Sequence, residues 1–284
     1  MQLTDFWIQI WGYYIVHGRH DLPWRQPSAD GTFDPYAIMV SEIMLQQTQV
    51  QRVIPKFEAF MKQFPSISSL AAAPLAEVLT AWSGLGYNRR AKFLWQAAQY
   101  VAGPLQGVFP RQLTELIKLP GVGVNTAGAI MAYAFDQPAV FLETNIRTVY
   151  IHHFFSSQDL VSDEALLPIV QDTLQVVEDQ EAADFTPRTW YWALMDYGTF
   201  LKQTAGNASR RSKAYTKQSA FNGSRRQVRG AVLRRLQAAP HSQADLAKHI
   251  TDERLPSVLQ DLLTEKMISY MQGHYHLGDI MVQS

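Results

Sequence analysis

Leu119-Pro120-Gly121-Val122-Gly123 is the stretch on which the reading of the fold turns. It lies between two segments of helical periodicity, 111–118 and 125–135. Pro120 ends the first helix because it has no N–H and crowds the preceding turn, and the two glycines permit a tight reversal. The main-chain N–H groups that open the second helix find no acceptor within it, so they offer a ready site for a phosphate. Two helices joined in this way, with Gly121 and Gly123 in the hairpin, are expected to grip an anionic backbone. A hairpin that only packs two helices together is the plainer alternative.

Outward from the hairpin the chain keeps to helices. Its 284 residues are 47% apolar and 18% charged, enough for a substantial core and unlike a disordered or fibrous protein. Periodicity predicts further helices over 5–17, 36–49, 54–64, 66–71, 75–82, 87–102, 144–155, 163–177 and 187–201. A polar stretch at 204–224, with Gly206, Asn207, Ser209, Asn222, Gly223 and Ser224, reads as a linker or a long irregular segment, which places a domain boundary near 223. Beyond it, helices over 227–238, 242–250 and 255–266 precede two short alternating runs around Gln272-Gly273, the second helix opened by Ser242 with Asp245 three residues on. Three helices and a hairpin in this order suggest a winged helix-turn-helix.

The chain has no cysteine, which excludes disulfides, thiolate zinc sites and thiolate-held iron–sulfur clusters. No run approaches the roughly 18 apolar residues of a membrane span, and the N-terminus lacks a basic region followed by an apolar core. A cytoplasmic protein without membrane contact is expected. The net charge is zero but unevenly spread: ten of the 25 basic residues fall between Lys202 and Arg235, with no acidic residue among them. A phosphate-binding stripe that includes Arg210, Arg211 and Lys213 is the expectation, and a solvated basic surface the alternative.

Glu42 is the only charged residue between Asp34 and Arg52, and it sits on a predicted helix among Ile38, Met39, Ile43, Met44 and Leu45. A carboxyl there is expected to be part buried, its pKa raised towards the range in which it can donate a proton at neutral pH. The alternative is a structural carboxylate that serves a neighbouring helix end.

Leu22-Pro23-Trp24-Arg25, Ser41-Glu42-Ile43-Met44-Leu45-Gln46-Gln47-Thr48-Gln49-Val50, Gly84-Leu85-Gly86-Tyr87 and the hairpin occur in the order and spacing of the MutY-type adenine DNA glycosylases. Over about the first 200 residues the chain resembles that family. The Glu-to-Val block is the most specific part, whereas the hairpin is common to the helix-hairpin-helix superfamily. The resemblance implies a mainly α, two-lobed fold. A glycosylase module would cover 1–222, with a six-helix lobe at 29–135 that carries the hairpin and a second helical lobe from 1–28 plus 136–222; a winged-helix-like domain would follow at 223–284. It also implies base excision repair near the nucleoid, by a monomer that flips a damaged or mispaired base out of double-stranded DNA and hydrolyses its N-glycosidic bond.

By this resemblance Glu42 matches the general acid that protonates a ring nitrogen of the flipped purine. Cleavage builds positive charge on the sugar, so a second carboxylate should stand against it. Glu143 fits, after the apolar run 139–142 and at the start of a helix whose N-terminus favours an anion. A plain helix-opening glutamate is the alternative. The family has aspartate and glycine where this chain has Glu143 and Thr144, with an asparagine matching Asn145. Glutamate keeps the charge but reaches roughly an ångström further, which can cost about a hundredfold in an unadapted site.

Asn125 stands where lyase members carry a lysine, and an amide cannot form a Schiff base, so a monofunctional glycosylase that uses water is implied. Gln46, Gln47 and Tyr87 match residues that fill the gap left by the flipped base and contact the opposing strand. Solvent-facing amides and a core tyrosine are the alternatives. The carbonyls of Ile117, Leu119 and Val122 match those that hold a Na+ or K+ bridging to a DNA phosphate; no cofactor is required. Where the family usually carries a four-cysteine iron–sulfur loop this chain has 202–235 with no cysteine, so it resembles the clusterless members, and in place of the large C-terminal domain that reads oxidised guanine the residues after 223 are expected to form a winged helix. By the resemblance, adenine opposite guanine or 8-oxoguanine is the first expected substrate; the missing guanine-reading domain and the glutamate at 143 motivate the second reading. Another base, such as uracil, hypoxanthine or an alkylated purine, is the second reading, and a non-catalytic protein that binds DNA structures is the third.

Overall fold

The computed structural model describes residues 2–178 and 184–279. The chain opens with α1 (Leu3–His17) and a 3-10 turn at Pro23–Arg25. There follow α2 (Pro35–Leu45), α3 (Val50–Gln63), α4 (Ile67–Ala72), α5 (Leu75–Ala81), α6 (Arg89–Ala102), α7 (Leu113–Leu116) and α8 (Val124–Phe135). Next come α9 (Thr144–Phe154), α10 (Asp163–Glu178), α11 (Pro187–Thr204) and a second 3-10 turn at Ala208–Arg211. The described chain closes with α12 (Arg225–Ala238), α13 (Gln243–His249), α14 (Leu255–Thr264) and the antiparallel strands β1 (Ile268–Met271) and β2 (His274–Leu277), with Ile268 opposite Leu277 and Met271 opposite His274.

Local chemistry starts these helices where it should. Asp34 Oδ1 accepts from the Tyr36 N–H at 2.9 Å ahead of α2, and Ser66 with Ser69 form a reciprocal capping box on α4. Thr186 and Thr189 do the same on α11, with Pro187 in its first turn. Ser242 Oγ accepts from the Asp245 N–H at 3.1 Å on α13.

Contacts divide the chain into two units, Met1–Glu42, Pro110–Lys118 and Val122–Lys217 in the first, Ile43–Phe109, Leu119–Gly121 and Gln218–Ser284 in the second. In the first, α1 and α8 pack on α11, which lies against α9, over a core that includes Phe6, Phe141, Tyr150, Trp190 and Tyr191. In the second, α4 and α5 pack on α6 and α12 packs on α14, with Phe60, Trp82, Leu94, Val232 and Leu259 buried. Residues from Gln218 onward group with Ile43–Phe109. Helix α8 groups with α11 in the first unit, and Gly128 lets it approach Phe141: a Cβ there would stand 2.8 Å from the Phe141 Cβ.

Several segments differ from the periodicity reading, α3 among them, which opens at Val50 rather than 54. Helix α2 stops at Leu45 rather than 49, since Gln47 turns left-handed at φ 56°. Helix α7 is one turn, 113–116, rather than 111–118. The polar stretch from 204 is ordered over its first half, where Val161 exchanges main-chain hydrogen bonds with Arg211 and Lys213, both at 2.8 Å. No helix among the described residues is long and apolar enough to cross a membrane.

Candidate active site

Glu42 lies one turn from the end of α2 and remains partly accessible while its neighbours Ser41, Ile43 and Met44 are buried. Burial pushes its carboxyl well above the ordinary range, the charge of Glu143 pushes it further, and Arg25 pulls it back. Arg25 is itself buried. Its Nη1 and Nη2 donate to Oδ2 and Oδ1 of Asp196 on α11 at 2.8 and 3.0 Å, and its guanidinium stands 5.2 Å from the Trp192 ring centroid. Arg19 completes the cluster, its main-chain N–H and its Nε each donating to Asp196 at 2.8 Å. Trp192 stacks on Tyr133 of α8, whose hydroxyl is pushed well up by burial and then by Glu42 and Glu143.

Glu143 occupies the N-cap of α9 with extended backbone, φ −105° and ψ 168°, and its side chain makes no capping hydrogen bond. The carboxylate is therefore not committed to the helix it opens. Burial raises its pKa, but Arg147 and then Lys202 oppose the rise. The segment that delivers it is held by Asn125, whose Oδ1 accepts from the Leu142 N–H at 3.1 Å, and by Phe141, stacked 4.1 Å from Tyr191. Two residues on, Asn145 donates from Nδ2 to Thr199 Oγ1 at 3.4 Å and accepts from Lys202 Nζ at Oδ1. Glu42, Glu143 and Asn145 thus share the first unit, two of them in direct electrostatic contact.

Sequence reasoning missed Tyr133, Asp196 and the inward role of Lys202. Asp196 carried the same signal as Glu42, a lone acid in an apolar helical run. Lys202 carried none, because it reads as the first member of a basic stretch.

In the second unit, Arg90 organises the loops that bear the expected strand-reading residues. Its Nη1 donates to the carbonyls of Ile43, Met44 and Gln46 at 2.7, 3.0 and 2.6 Å, and its Nη2 to those of Leu85 and Gly86 at 3.3 and 3.2 Å. Gln47 is exposed and Tyr87 half-buried, and both have left-handed backbone, φ 56° and 46°. Such residues cost of order 1–3 kcal/mol each and persist where surrounding contacts over-determine them. The Tyr87 hydroxyl takes donors from Gln218 Nε2, at 2.5 Å, and from Arg226, whose guanidinium also lies 4.8 Å from the ring. Gly121 has φ 78° and lies against Phe93, so that a Cβ would stand 2.6 Å from the Phe93 Cβ. Gly123, Val124 and Asn125, at the start of α8, are exposed.

The basic stretch divides into two kinds of residue. Arg211 Nη1 is engaged with the carbonyls of Phe155, Ser156 and Gln158 at 2.8, 3.0 and 2.9 Å. Arg225 and Arg229 pair with Asp261 and Glu265 at 2.6 and 2.5 Å. Arg210, Lys213, Arg234 and Arg235 are exposed. The carbonyls of Ile117, Leu119 and Val122 are hard, neutral donors suited to an alkali cation rather than a transition metal. No cluster of three or more His, Asp or Glu among the described residues could hold a metal ion.

Residues 40–167 match the family described as HhH-GPD superfamily base excision DNA repair protein. The adenine DNA glycosylase of Mycolicibacterium smegmatis is 34% identical over 238 residues, 76% of this chain and 75% of that one. The adenine DNA glycosylase of Buchnera aphidicola subsp. Baizongia pistaciae is 42% identical over 154 residues, 54% of this chain; the match spans only 42% of that relative's length. Among solved structures, a thermostable thymine-DNA glycosylase aligns with a TM-score of 0.56 and 24% identity over 69% of this chain and 85% of its own, a likeness of fold.

Proposed function

The chain belongs to the adenine DNA glycosylase family, within the HhH-GPD superfamily, and from that premise we propose that it is a monofunctional DNA glycosylase acting first on adenine mispaired with guanine or 8-oxoguanine. The observation that carries this reading is the unequal surroundings of two carboxyls. Both are raised by burial, but Glu42 is raised further by the charge of Glu143, whereas Glu143 is opposed by Arg147 and Lys202. On this reading Glu42, pushed up despite Arg25, is the proton donor and Glu143 the carboxylate, the pairing that glycosidic cleavage needs.

Glu42 then donates its proton to a ring nitrogen of the flipped base. The C1′–N bond breaks with its electron pair leaving on the base, and the positive charge on the sugar faces the Glu143 carboxylate. Water adds at C1′ and gives its proton to the Glu42 carboxylate, which leaves a free base and an abasic site. With Asn125 in place of a lysine, and its amide engaged by Leu142, this mechanism has no Schiff-base step.

On this reading Gln46, Gln47 and Tyr87 fill the helix behind the flipped base. Gly121, Gly123 and the opening N–H groups of α8 grip a phosphate, and a Na+ or K+ on the carbonyls of Ile117, Leu119 and Val122 would add positive charge there. Residues 223–284 serve as a winged-helix-like accessory to DNA binding.

Glutamate rather than aspartate at 143 favours a second reading, the same chemistry on another base such as uracil, hypoxanthine or an alkylated purine. A panel of single-lesion duplexes, incubated with the protein and then alkali, decides. Cleavage of A:G or A:8-oxoguanine duplexes supports the first reading, and cleavage of another lesion alone the second. Binding without cleavage of any duplex overturns both.

A further inference from the structure

Lys202 lies in the last turn of α11, and its ammonium donates to Asn145 Oδ1. Thr199, three residues earlier on the same helix face, accepts from Asn145 Nδ2 at 3.4 Å. One face of α11 therefore grips both ends of the Asn145 amide. Gly198 makes the approach possible, since a Cβ there would stand 2.5 Å from the Asn145 carbonyl oxygen.

The charge of the same ammonium is felt at Glu143, two residues from Asn145. Burial pulls the Lys202 pKa down and the Glu143 charge pulls it back up. A partly buried ammonium is costly unless an opposite charge stands near it. Arg147 on α9 and Lys202 on α11 act on Glu143, whose charge in turn acts on Glu42 of α2 and Tyr133 of α8. Of the two cations, Arg147 has the larger effect on Glu143 but is already bidentate with Asp163, at 2.9 and 2.7 Å. Lys202 forms no close ion pair among the described residues, and its charge adds to that of Arg147 at Glu143.

We propose that Lys202 is a positioning residue of the excision site: it fixes the Asn145 amide, two residues from Glu143, and adds to Arg147 a second counter-charge that keeps the Glu143 carboxylate ready to face the sugar. This deepens the glycosylase reading and rests on it. It also explains how a glutamate, longer than the aspartate of the resembled family, is held in place. Lys202 touches no reacting atom and acts through its two neighbours.

The test is a carboxyl NMR titration of the full chain labelled at glutamate, the Glu143 signal assigned by Glu143→Gln, together with single-turnover pH profiles. Lys202→Met should move the Glu143 midpoint up by about one pH unit or more, since it removes an adjacent opposite charge. Lys202→Gln, which keeps a donor for Asn145 without the charge, should shift it likewise, and Lys202→Arg should bring it back. The acid limb of excision should move in parallel. An unchanged Glu143 midpoint in folded Lys202→Met protein overturns the proposal; if that variant does not fold, an unchanged midpoint in Lys202→Gln does so. The titration is read without DNA, so a failure to cleave any duplex and a failure of this pairing are told apart.

Discussion

Gly198 and Asn145 touch through their backbones: a Cβ built on Gly198 would stand 2.5 Å from the Asn145 carbonyl oxygen and 2.9 Å from its Cβ. No rotamer change relieves a contact with main chain, so Gly198→Ala must push α9 away from α11. Overpacking of this kind costs about 1–3 kcal/mol, and displacement of a catalytic group by roughly 1 Å costs about a hundredfold in rate. Urea melts and single-turnover excision should show both losses, with DNA affinity changed far less. A Gly198→Ala protein of unaltered stability and rate would mean that α9 is not seated by this contact.

Asp196 is the hinge of a second buried contact. Burial pushes its carboxyl up, but hydrogen bonds and charge from Arg25, then Arg19, outweigh it and hold the carboxyl below the usual range. Asp196→Asn would leave Arg25 buried without its counter-charge, a loss of about 3–5 kcal/mol. The folded-state pKa is depressed, so the stabilisation is fully present above the unfolded value of about 3.9 and is lost as pH falls through the folded one. Melting temperature against pH should therefore drop on the acid side in wild type and be flatter there in Asp196→Asn. Equal stability of the two proteins at pH 7 would refute this account.

Glu42 and the 119–123 hairpin were legible because their signals are local: a lone acid in an apolar helical run, and a Pro-Gly break between two periodic segments. What was not legible depends on distant partners. The run through 36–49 reads as one helix, yet Arg90, far along the chain, takes the carbonyls of Ile43, Met44 and Gln46, while the backbone turns left-handed at Gln47. The stretch 202–235 reads as uniformly basic, yet α14 brings Asp261 and Glu265 to Arg225 and Arg229. Lys202 turns inward for a like reason: only the pairing of α9 with α11 puts it beside Asn145.

That division of the basic stretch separates two effects of mutation. Arg210 and Lys213 are exposed, so Arg210→Ala with Lys213→Ala should weaken duplex binding for all sequences and flatten the salt slope by about one unit per lost phosphate contact. Arg211→Ala removes the donor to three carbonyls beyond α9 and should instead lower stability by about 1–3 kcal/mol. Binding isotherms at several salt concentrations, beside thermal melts, distinguish the two. A salt slope unmoved by the double substitution would place Arg210 and Lys213 away from DNA.

Glu42→Gln keeps the shape of the side chain but removes the proton it would donate. Excision should fall about a hundred- to ten-thousandfold, with duplex affinity nearly unchanged. The pair to measure is single-turnover rate and gel-shift affinity on the same duplex. Turnover near the wild-type rate would make Glu42 a structural residue.

Glu143 bears the heaviest share of the functional reading, and its two substitutions ask different questions. Glu143→Gln removes the charge that would face the sugar, and charge stabilisation in a partly dry site is typically the largest catalytic contribution, so the rate should fall a hundredfold or more while binding survives. The pH profile should change in a fixed sense. Wild-type excision needs Glu143 ionised, hence its rate declines as pH falls through the raised Glu143 pKa; in Glu143→Gln that acid limb should vanish. Glu42 is raised first by burial and then by the Glu143 charge, so loss of that charge should bring the alkaline limb to lower pH. Glu143→Asp keeps the charge but draws it back by roughly an ångström in a site where the charges of Arg147 and Lys202 act on the longer side chain. It should therefore be slower than wild type, by tenfold or so, on whichever duplex the protein cleaves. A faster Glu143→Asp protein on adenine mispairs would show instead that the site is shaped for aspartate. If both variants matched wild type in rate and pH profile, Glu143 would have no part in the chemistry.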